Sequence, residues 1–556
     1  MYSPPGHIDP WVFVGYAFHF SDPLFLPDNY KSSRLPWILL EYGAHSLLPP
    51  LAANSILQLG CLTLATVSVF FATERLFGAT AALVAAGFLA VYTHFTGAGG
   101  ADYQNTLSGP LYAATFLVLI LGACAREGKW WWWFATGALY AATVHTNILF
   151  INFAPVLVVQ FLTLRHLRRA PRVPLSIVLA SAFLGALLLT IVLGAINWAV
   201  GRNFYFFMSQ LTFTAEFVKD SSLSERWWSP WTSGWYKEAA HLGALLAGGA
   251  LAIAVCGAAW RKQSERQILA LSISVQYVAL LAFWISWQSL GYTALQPDYF
   301  STPLIVPLCL TIGAAYGVFG ITLQPKVYAL IALVLLGSFL SPLLLWPQLL
   351  EHFPSGSTRL VTGVCYFGLA FFVLIFWGRY AVGLVLAIFL LGIANGKVAA
   401  DRAALYSLSS CRLERDEYTS IVGMHQILAS LGRAPSKIYI WFDEHENAHA
   451  LLCPATYSLA SLGYSLVASG FQYLQDPWPL RPIEDLDVQK LRAVAKDDVL
   501  IAILSRDRQN FVRLTGRLRE LGQTLQMVSE QRIAHGNVDV SLFVARPVPI
   551  AYAPPP

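Results

Sequence analysis

The sequence predicts a polytopic α-helical membrane protein that ends in a soluble α/β domain. Of its 556 residues, 56% are apolar and only 12% are charged, whereas soluble domains contain about 25% charged residues. Long, mainly apolar runs recur over roughly the first 400 positions, and each is long enough to cross a bilayer. Charge returns after about Lys397, and this composition excludes collagen, disordered chains and purely cytosolic enzymes.

Twelve segments fit the length and composition of membrane spans, which makes residues 1–397 a transmembrane module. They are 51–72, 78–96, 106–124, 130–146, 148–164, 174–196, 239–260, 267–289, 301–321, 327–346, 360–377 and 380–397. The fourth and fifth are nearly continuous, so a tight turn is predicted near His145–Asn147. Residues 1–50 precede the first span and are predicted to lie along the interface.

Charges in the short loops predict the orientation. One set of loops carries twelve cations and three acids, whereas the opposite set carries seven cations and eleven acids. Because cation-rich short loops stay in the cytoplasm, residues 1–50, loop 197–238 and domain 398–556 are predicted to face outward from the plasma (inner) membrane. A chain that begins outside also suggests that a first span precedes it.

Residues 398–556 have the pattern of a separate α/β domain. Apolar, β-branched and aromatic runs predict four strands, at 437–442, 499–504, 525–533 and 538–545. Residues 507–521 predict a helix between the second and third of these. Strands that alternate with helices favour a layered α/β fold.

Acidic residues near the membrane lie almost entirely on the predicted outer side. They include Asp9, Asp102 and Asp298. Such acids are costly unless hydrated or paired, so their collection on one side predicts a shared polar cavity. The alternative is that acids only avoid the cytoplasmic face. Asp9, within an apolar stretch, either caps a short helix or presents a carboxylate to the cavity.

Three further polar segments occur on the same predicted side. In the sequence Tyr30-Lys31-Ser32-Ser33-Arg34, the guanidinium of Arg34 either binds a phosphate through a bidentate fork or extends to lipid headgroups. A glycine-rich turn precedes Asp102. His145 and Asn147 lie at the tip of the hairpin between two spans, where a purely structural histidine is the alternative.

The order of these features resembles the GT-C glycosyltransferases, specifically the superfamily of protein O-mannosyltransferases and lipid A aminoarabinose transferases. An outer acid is followed by Tyr30-x3-Arg34-x-Pro36, a span, Gly99-x2-Asp102 and a polar tip. The resemblance covers about residues 1–320. It implies thirteen spans and an outward C-terminal domain, which is the twelve counted here plus the suspected first span.

The resemblance also implies roles for particular residues. Asp9 corresponds to the catalytic acid and Asp102 to an acid that positions substrate, while Arg34 corresponds to a residue near the carrier phosphate and Tyr30 is a substrate-binding candidate. The remaining substrate-binding candidates are His145, Asn147, Asp298 and Tyr299. The chain departs from the family by having Pro10 after the first acid, Asn147 where many relatives carry Lys, and Asp298-Tyr299 where Arg-Tyr is usual.

The predicted function is therefore an inverting glycosyltransferase that moves a sugar from a polyprenyl-phosphate donor to an acceptor outside the membrane. The acceptor class (protein, glycolipid or polysaccharide) stays open. No cofactor is required; a divalent metal stays open but has no clear set of ligands. The partners expected are the lipid donor, the acceptor and the bilayer. A net charge of +5 gives no reason to expect nucleic acid.

Two other functional classes are alternatives to this prediction. A transporter or flippase would need ionisable residues near the middle of the membrane or matching halves of broken helices, and the sequence shows neither. A membrane-anchored zinc metallopeptidase is suggested by His445-Glu446-x-x-His449, which matches H-E-x-x-H. That motif lacks a downstream Glu at the distance expected for a third zinc ligand.

Overall fold

The structure is a computed structural model, and it describes the larger part of the chain. The described residues are 8–21, 30–48, 50–92, 95, 104–125, 129–167, 173–219, 239–260, 264–289, 301–319, 419–428, 430–431, 438–442, 462–463, 466, 472–473, 500–535 and 538–550.

The chain forms two compact units whose segments interleave near the N-terminus. The first, which we name the membrane unit, consists of Met1, Asp28–Trp37 and Ile56–Ala400. The second, which we name the sheet unit, consists of Tyr2–Pro27, Ile38–Ser55 and Asp401–Pro556. The first helical segment of the chain therefore belongs to the same unit as the C-terminal sheet.

Helices account for most of the described residues before position 320. They are α1 (Ile8–Phe18), α2 (Leu35–Leu47), α3 (Pro50–Phe77), α4 (Ala79–Val91), α5 (Gln104–Cys124), α6 (Trp130–Thr146), α7 (Ala154–Leu167), α8 (Leu175–Ala199), α9 (Met208–Lys219), α10 (Ala239–Trp260), α11 (Glu265–Ser289) and α12 (Thr302–Phe319). Two 3-10 helices, Tyr30–Ser33 and Ile148–Phe153, complete this part.

Among the described residues, six helical segments are long and apolar enough to cross a membrane. They are Ile56–Phe77, Asn105–Cys124, Ile148–Leu167, Leu175–Ala199, Glu265–Trp287 and Thr302–Phe319, with shorter apolar helices at Ala79–Ala90 and Ala244–Trp260. The first nine predicted spans all fall on helices, whereas 327–346, 360–377 and 380–397 lie outside the described residues. The chain is a multi-pass membrane protein, and the count of twelve spans stays a prediction.

Burial divides the membrane-unit helices into central and peripheral ones. In α12, most side chains from Thr302 to Ala315 are buried. By contrast, α8 exposes a broad apolar surface, and Phe183 is 68% exposed. An apolar helix face of this extent is expected to contact lipid, because exposing it to water is unfavourable.

Two glycines allow α6 and α8 to cross at very short range. A Cβ atom added to Gly137 would lie 1.8 Å from the Ala182 carbonyl oxygen, and one added to Gly185 would lie 2.0 Å from that of Phe134. Small residues are typical of such crossings, because association inside a bilayer depends on close backbone packing.

A five-stranded mixed sheet dominates the C-terminal part of the sheet unit. Its strands are β1 (Ile438–Trp441), β2 (Gln472–Tyr473), β3 (Leu500–Ser505), β4 (Gln523–His535) and β5 (Val538–Pro549), in the order β2-β1-β3-β5-β4. The β1 strand pairs in parallel with β2 and β3, while β5 is antiparallel to both β3 and β4. The four predicted strands are confirmed, and β2 is an addition.

Helix α13 (Gln509–Arg519) covers one face of this sheet. Leu514 and Leu518, four residues apart on one side of the helix, are buried against Ile501, Ile503 and Phe543. Gly522 follows the helix with a φ of 75°, in the left-handed region that glycine adopts without strain. The predicted 507–521 helix is confirmed with slightly shorter bounds.

We expect Gly137→Ala and Gly185→Ala to destabilise the membrane unit, because each new methyl group would force the α6 and α8 backbones apart. The expected cost is about 1–3 kcal/mol for each substitution, visible as a lower midpoint of thermal denaturation in detergent. Gly60→Ala in α3 is the control, since a Cβ there meets nothing within 4 Å. Equal midpoints for all three variants would contradict the close crossing.

Candidate active site

Two cations of the predicted Tyr30–Arg34 segment are withdrawn from solvent. Lys31 is 6% exposed and Arg34 is 8% exposed. Lys31 Nζ lies 5.8 Å and Arg34 Cζ 5.3 Å from the centre of the Tyr30 ring. Both cations therefore lie within the distance at which an aromatic ring attracts a positive charge.

Helix α9 supports this segment from the other side. The Phe213 ring stacks on Tyr30 at 3.9 Å with the two planes 5° apart. The Ser33 hydroxyl donates to the Tyr30 carbonyl oxygen at 2.6 Å and lies 3.2 Å from Gln210 Oε1. The short 3-10 helix is thus held through one aromatic and one polar contact with α9.

Gln210 keeps part of its hydrogen-bonding capacity unused. Its side chain is buried, and Nε2 has no hydrogen-bond partner among the described residues. If the amide is turned so that its nitrogen faces Ser33, one of its two N–H groups is used and the other still lacks an acceptor. In either orientation the buried amide retains a donor beside Tyr30–Arg34.

This cluster is suited chemically to an anion. Guanidinium and ammonium groups bind phosphate through charge-assisted hydrogen bonds, and low exposure strengthens the attraction because the effective dielectric constant is lower. The amide of Gln210 adds a neutral donor. We name Tyr30, Lys31, Arg34 and Gln210, with Phe213 beneath them, the cation cluster.

A second polar group lies where α6 turns into the following 3-10 helix. Asn147 Nδ2 donates to Asn105 Oδ1 at 2.9 Å, and Asn147 Oδ1 accepts from the Leu149 N–H at 3.1 Å. Both asparagines are buried. The amide of Asn147 therefore joins α5 to the turn, and the tight turn predicted at His145–Asn147 is confirmed.

His145, in the last turn of α6, contacts α8 and the segment that leads into α9. Its Nε2 lies 2.8 Å from Thr190 Oγ1, whose own proton is donated to the Ala186 carbonyl oxygen at 2.9 Å. The imidazole must then be the donor, which places its proton on Nε2. The ring also lies 5.0 Å from that of Phe206, two residues before α9.

The structure thus brings two predicted site residues, Tyr30 and Arg34, into contact within the membrane unit. It places the predicted residue Asn147 with Asn105, which was not predicted. It also places His145 against residues 206–207, which continue directly into the helix that bears Gln210 and Phe213.

Other predicted site residues are not described. Asp102, Asp298 and Tyr299 lie outside the described residues, as do His445, Glu446 and His449 of the zinc-like motif. Asp9 lies in the first turn of α1, within the sheet unit. In the part of the chain that the structure describes, no group of three His, Cys, Asp or Glu residues is arranged to hold a metal ion.

Four residues of the site are not predicted from the sequence: Gln210, Phe213, Asn105 and Thr190. Gln210 and Phe213 are three residues apart and so share a face of α9, but the sequence predicts only a long loop at 197–238. Asn105 lies directly after the predicted glycine-rich turn. The available signal was a polar residue at the membrane boundary, which does not by itself indicate a partner.

Comparison with known proteins gives matches at the level of structure only. No protein-family model matches the chain, and no curated protein matches it. The apo crystal structure of ArnT from Cupriavidus metallidurans is 13% identical, with a TM-score of 0.50 over 98% of this chain and 94% of ArnT.

Two other solved structures align at lower TM-scores. ArnT bound to undecaprenyl phosphate is 14% identical over 96% of this chain and 97% of ArnT, with a TM-score of 0.44. The apo oligosaccharyltransferase of Archaeoglobus fulgidus is 13% identical over 90% of this chain and 66% of its own, with a TM-score of 0.45.

The chain has the GT-C fold. ArnT, a lipid A aminoarabinose transferase, shares that fold over nearly the whole length of both chains. The predicted fold class is confirmed. A sequence identity of 13% to ArnT establishes the fold and not the activity, because one fold can carry different functions.

We expect Asn105 and Asn147 to be energetically coupled. Removing either side chain leaves the other amide buried with one hydrogen bond fewer, at a cost of about 1–3 kcal/mol. In a double-mutant cycle of Asn105→Ala and Asn147→Ala, the double variant should lose clearly less stability than the sum of the single variants. The measurement is the fraction of folded protein after heating in detergent, and strict additivity would contradict the contact.

Proposed function

We propose that the protein is an inverting glycosyltransferase that takes a sugar from a polyprenyl-phosphate donor. The observation that carries this proposal is the cation cluster, in which Lys31 and Arg34 are almost fully buried around Tyr30. Two cations held close together at low exposure can bind an anion through charge-assisted hydrogen bonds. A lipid phosphate is an anion that a membrane-embedded unit can receive directly from the bilayer.

The donor fits this position because its two parts require different surroundings. The polyprenyl chain needs an apolar exterior such as that of α8, while the phosphate needs charged donors at the end of the helices. Arg34 is proposed to contact the phosphate oxygens through its fork, with Lys31 and the free N–H of Gln210 as further donors. Tyr30 holds both cations in place.

In the proposed reaction, a hydroxyl oxygen of the acceptor attacks C1 of the donor sugar. The C1–O bond to the phosphate breaks, the electron pair leaves with the phosphate, and the hydroxyl proton passes to Asp9 as general base. Arg34 and Lys31 stabilise the negative charge that develops on the departing phosphate. A single displacement inverts the anomeric carbon, and this step requires no cofactor.

The remaining predicted residues are proposed to surround the sugar and the acceptor. Asp102 would orient the substrate, and Asp298 and Tyr299 would contact it from the loop before α12. His145 has its proton directed to Thr190, which leaves Nδ1 as the nitrogen able to accept a hydrogen bond from substrate. Asn147 would shape the site by holding α5 to the turn.

The site is proposed to open on the extracytoplasmic side of the plasma (inner) membrane, with the sheet unit on that side. The support is the distribution of charge, since the cation-rich short loops lie at the opposite ends of the spans. The acceptor is proposed to be a protein, glycolipid or polysaccharide that is exposed there. No nucleotide sugar is expected on that side, which favours a lipid-linked donor.

We expect Arg34→Gln to weaken binding of undecaprenyl phosphate about 10- to 100-fold, because charge-assisted hydrogen bonds of about 1.5–3 kcal/mol are lost. Arg34→Lys should recover part of the loss, since it keeps the charge but lacks the fork. Gln210→Glu should also weaken binding, because it places a negative charge beside the phosphate. The measurement is a fluorescence titration of purified protein in detergent.

Two controls make this titration specific. Arg75→Gln removes the same charge at an exposed position of α3 and should leave the affinity unchanged. Undecaprenol, which lacks the phosphate, should bind native protein and Arg34→Gln equally. Equal affinity of all these variants for undecaprenyl phosphate would remove the cation cluster from the donor site.

We expect Asp9→Asn to abolish transfer while leaving the protein folded and able to bind undecaprenyl phosphate. Loss of a general base costs about 10²- to 10⁴-fold in rate. The measurement is transfer from a radiolabelled polyprenyl-phosphate sugar in envelope extracts, with Asp22→Asn from the same N-terminal segment as the matched variant. Unchanged turnover by Asp9→Asn would exclude this acid from the mechanism.

A further inference from the structure

Two histidines from separate parts of the chain contact Phe18 within the sheet unit. Phe18 is the last residue of α1. Its ring lies 5.3 Å from that of His45 in α2, with the planes at 77°, and 5.2 Å from that of His425, with the planes at 67°. Both are edge-to-face contacts, the arrangement that aromatic rings prefer. The end of α1 is thus held between α2 and the 419–428 helix.

His19 extends the group by one ring, 6.1 Å from that of His425. The contacts therefore join three separate elements: the N-terminal helix that carries Asp9, the helix α2 that begins at Leu35, and the 419–428 helix from the other end of the chain. All of these histidines belong to one compact unit. We name Phe18, His19, His45 and His425 the histidine clasp.

Burial favours the neutral forms of His45 and His425. Neither ring nitrogen of His45 has a hydrogen-bond partner among the described residues, and burial lowers the pKa of His45 to about 4. Burial also lowers the pKa of His425 to about 3, with a further lowering from His19 nearby. A proton on either ring would be placed in a poorly solvated site, which disfavours the charged form.

The other ionisable groups on the packed elements are few. Glu41, which is buried, is the only acid of α2 and precedes His45 by one turn. Asp9 is the only acid of α1, and the 419–428 helix contains no acid. His535 of β4 approaches that helix, with Nε2 3.8 Å from where a Cβ of Gly423 would lie. Glu41 is therefore the acid on these elements that could best compensate a positive charge on His45.

We propose that His45 and His425 are positioning residues, which hold α1 and its Asp9 in place while they are neutral and release α1 when they gain protons. This inference rests on the proposed function, in which Asp9 is the general base. The histidines touch neither substrate nor reacting atoms. They act through Phe18 and the helix that ends with it.

The direction of the pH effect follows from the difference in histidine pKa between the clasped and the released states. A histidine released from the clasp titrates near its ordinary pKa of about 6.5, whereas the clasped histidines resist protonation. The clasp is fully favoured above about pH 6.5 and loses stability as the pH falls below that value. At pH 5 each of the two histidines shifts the balance toward release by roughly 30-fold, and at pH 7.5 the shift is negligible.

The test is hydrogen–deuterium exchange of the full-length protein, followed in the peptide that contains residues 8–18. Labelling times are scaled for the intrinsic pH dependence of exchange. We expect protection of this peptide to fall more than tenfold between pH 7.5 and pH 5, while peptides from α6 and α12 stay protected. Unchanged protection of residues 8–18 would overturn the proposal.

The matched variant is His45→Phe combined with His425→Phe, which keeps the ring contacts but cannot take up protons. Its α1 peptide should stay protected at both pH values, whereas the same pH-dependent loss as in the native protein would overturn the proposal. If the double variant does not fold, the single variant His45→Phe should still make the loss of protection of residues 8–18 at pH 5 roughly 30-fold smaller than in the native protein. His166→Gln, at an exposed position of α7, should behave as native protein.

A transferase assay separates this inference from the proposed function. The native pH–rate profile should fall below about pH 6.5, and the double variant should retain its rate to lower pH. Because exchange requires no turnover, pH-dependent exposure of α1 in an inactive protein would support the clasp while removing the transferase. Full transferase activity together with exchange of α1 that does not depend on pH would support the transferase and overturn the clasp.

Discussion

Backbone amide and carbonyl groups inside a bilayer have no water to bind, so the chain must satisfy them within helices. This constraint organises the membrane unit. Its long helices are mainly apolar, and the described contacts of the candidate site occur where helices end or begin. The 3-10 helix Tyr30–Ser33, the turn at Asn147 and the short helix α9 are all such boundaries. Ionisable groups cost less free energy there than near the middle of a bilayer.

Tyr30 has the central position in the cation cluster. Its ring attracts both Lys31 and Arg34 and stacks on Phe213, so one side chain connects the two charges to α9. Cation–π attraction contributes about 0.5–2 kcal/mol, and more as water is excluded. The ring therefore offsets part of the cost of withdrawing two cations from water. In the proposed function, the same two cations bind the phosphate of the lipid donor.

The division into two units gives the N-terminal segment a particular importance. Asp9 belongs to the sheet unit and Arg34 to the membrane unit, although they are close in sequence. The chain passes between the units within α2, between Trp37 and Ile38. The proposed base and the histidine clasp therefore belong to one unit, and Arg34 belongs to the other.

Much of the fold was predictable because its signals are local. A membrane helix needs only a long apolar run, and a strand needs only a short run of β-branched and aromatic residues, so α3–α8 and β3–β5 follow from short windows of sequence. The contact between the Arg34 guanidinium and the Tyr30 ring is also local, since four positions separate the two residues. Strand β2, only two residues long, lacks a run that could reveal it.

The sequence by itself determined that this chain inserts into a membrane, bears a C-terminal sheet and carries cations and acids at the span boundaries. Only the tertiary structure decided which of those groups meet. Ser33 and Gln210 are 177 positions apart, and Phe18 contacts His425 from the other end of the chain. Neither contact produces a periodic pattern in the sequence, because packing depends on shape and burial in three dimensions and not on spacing along the chain.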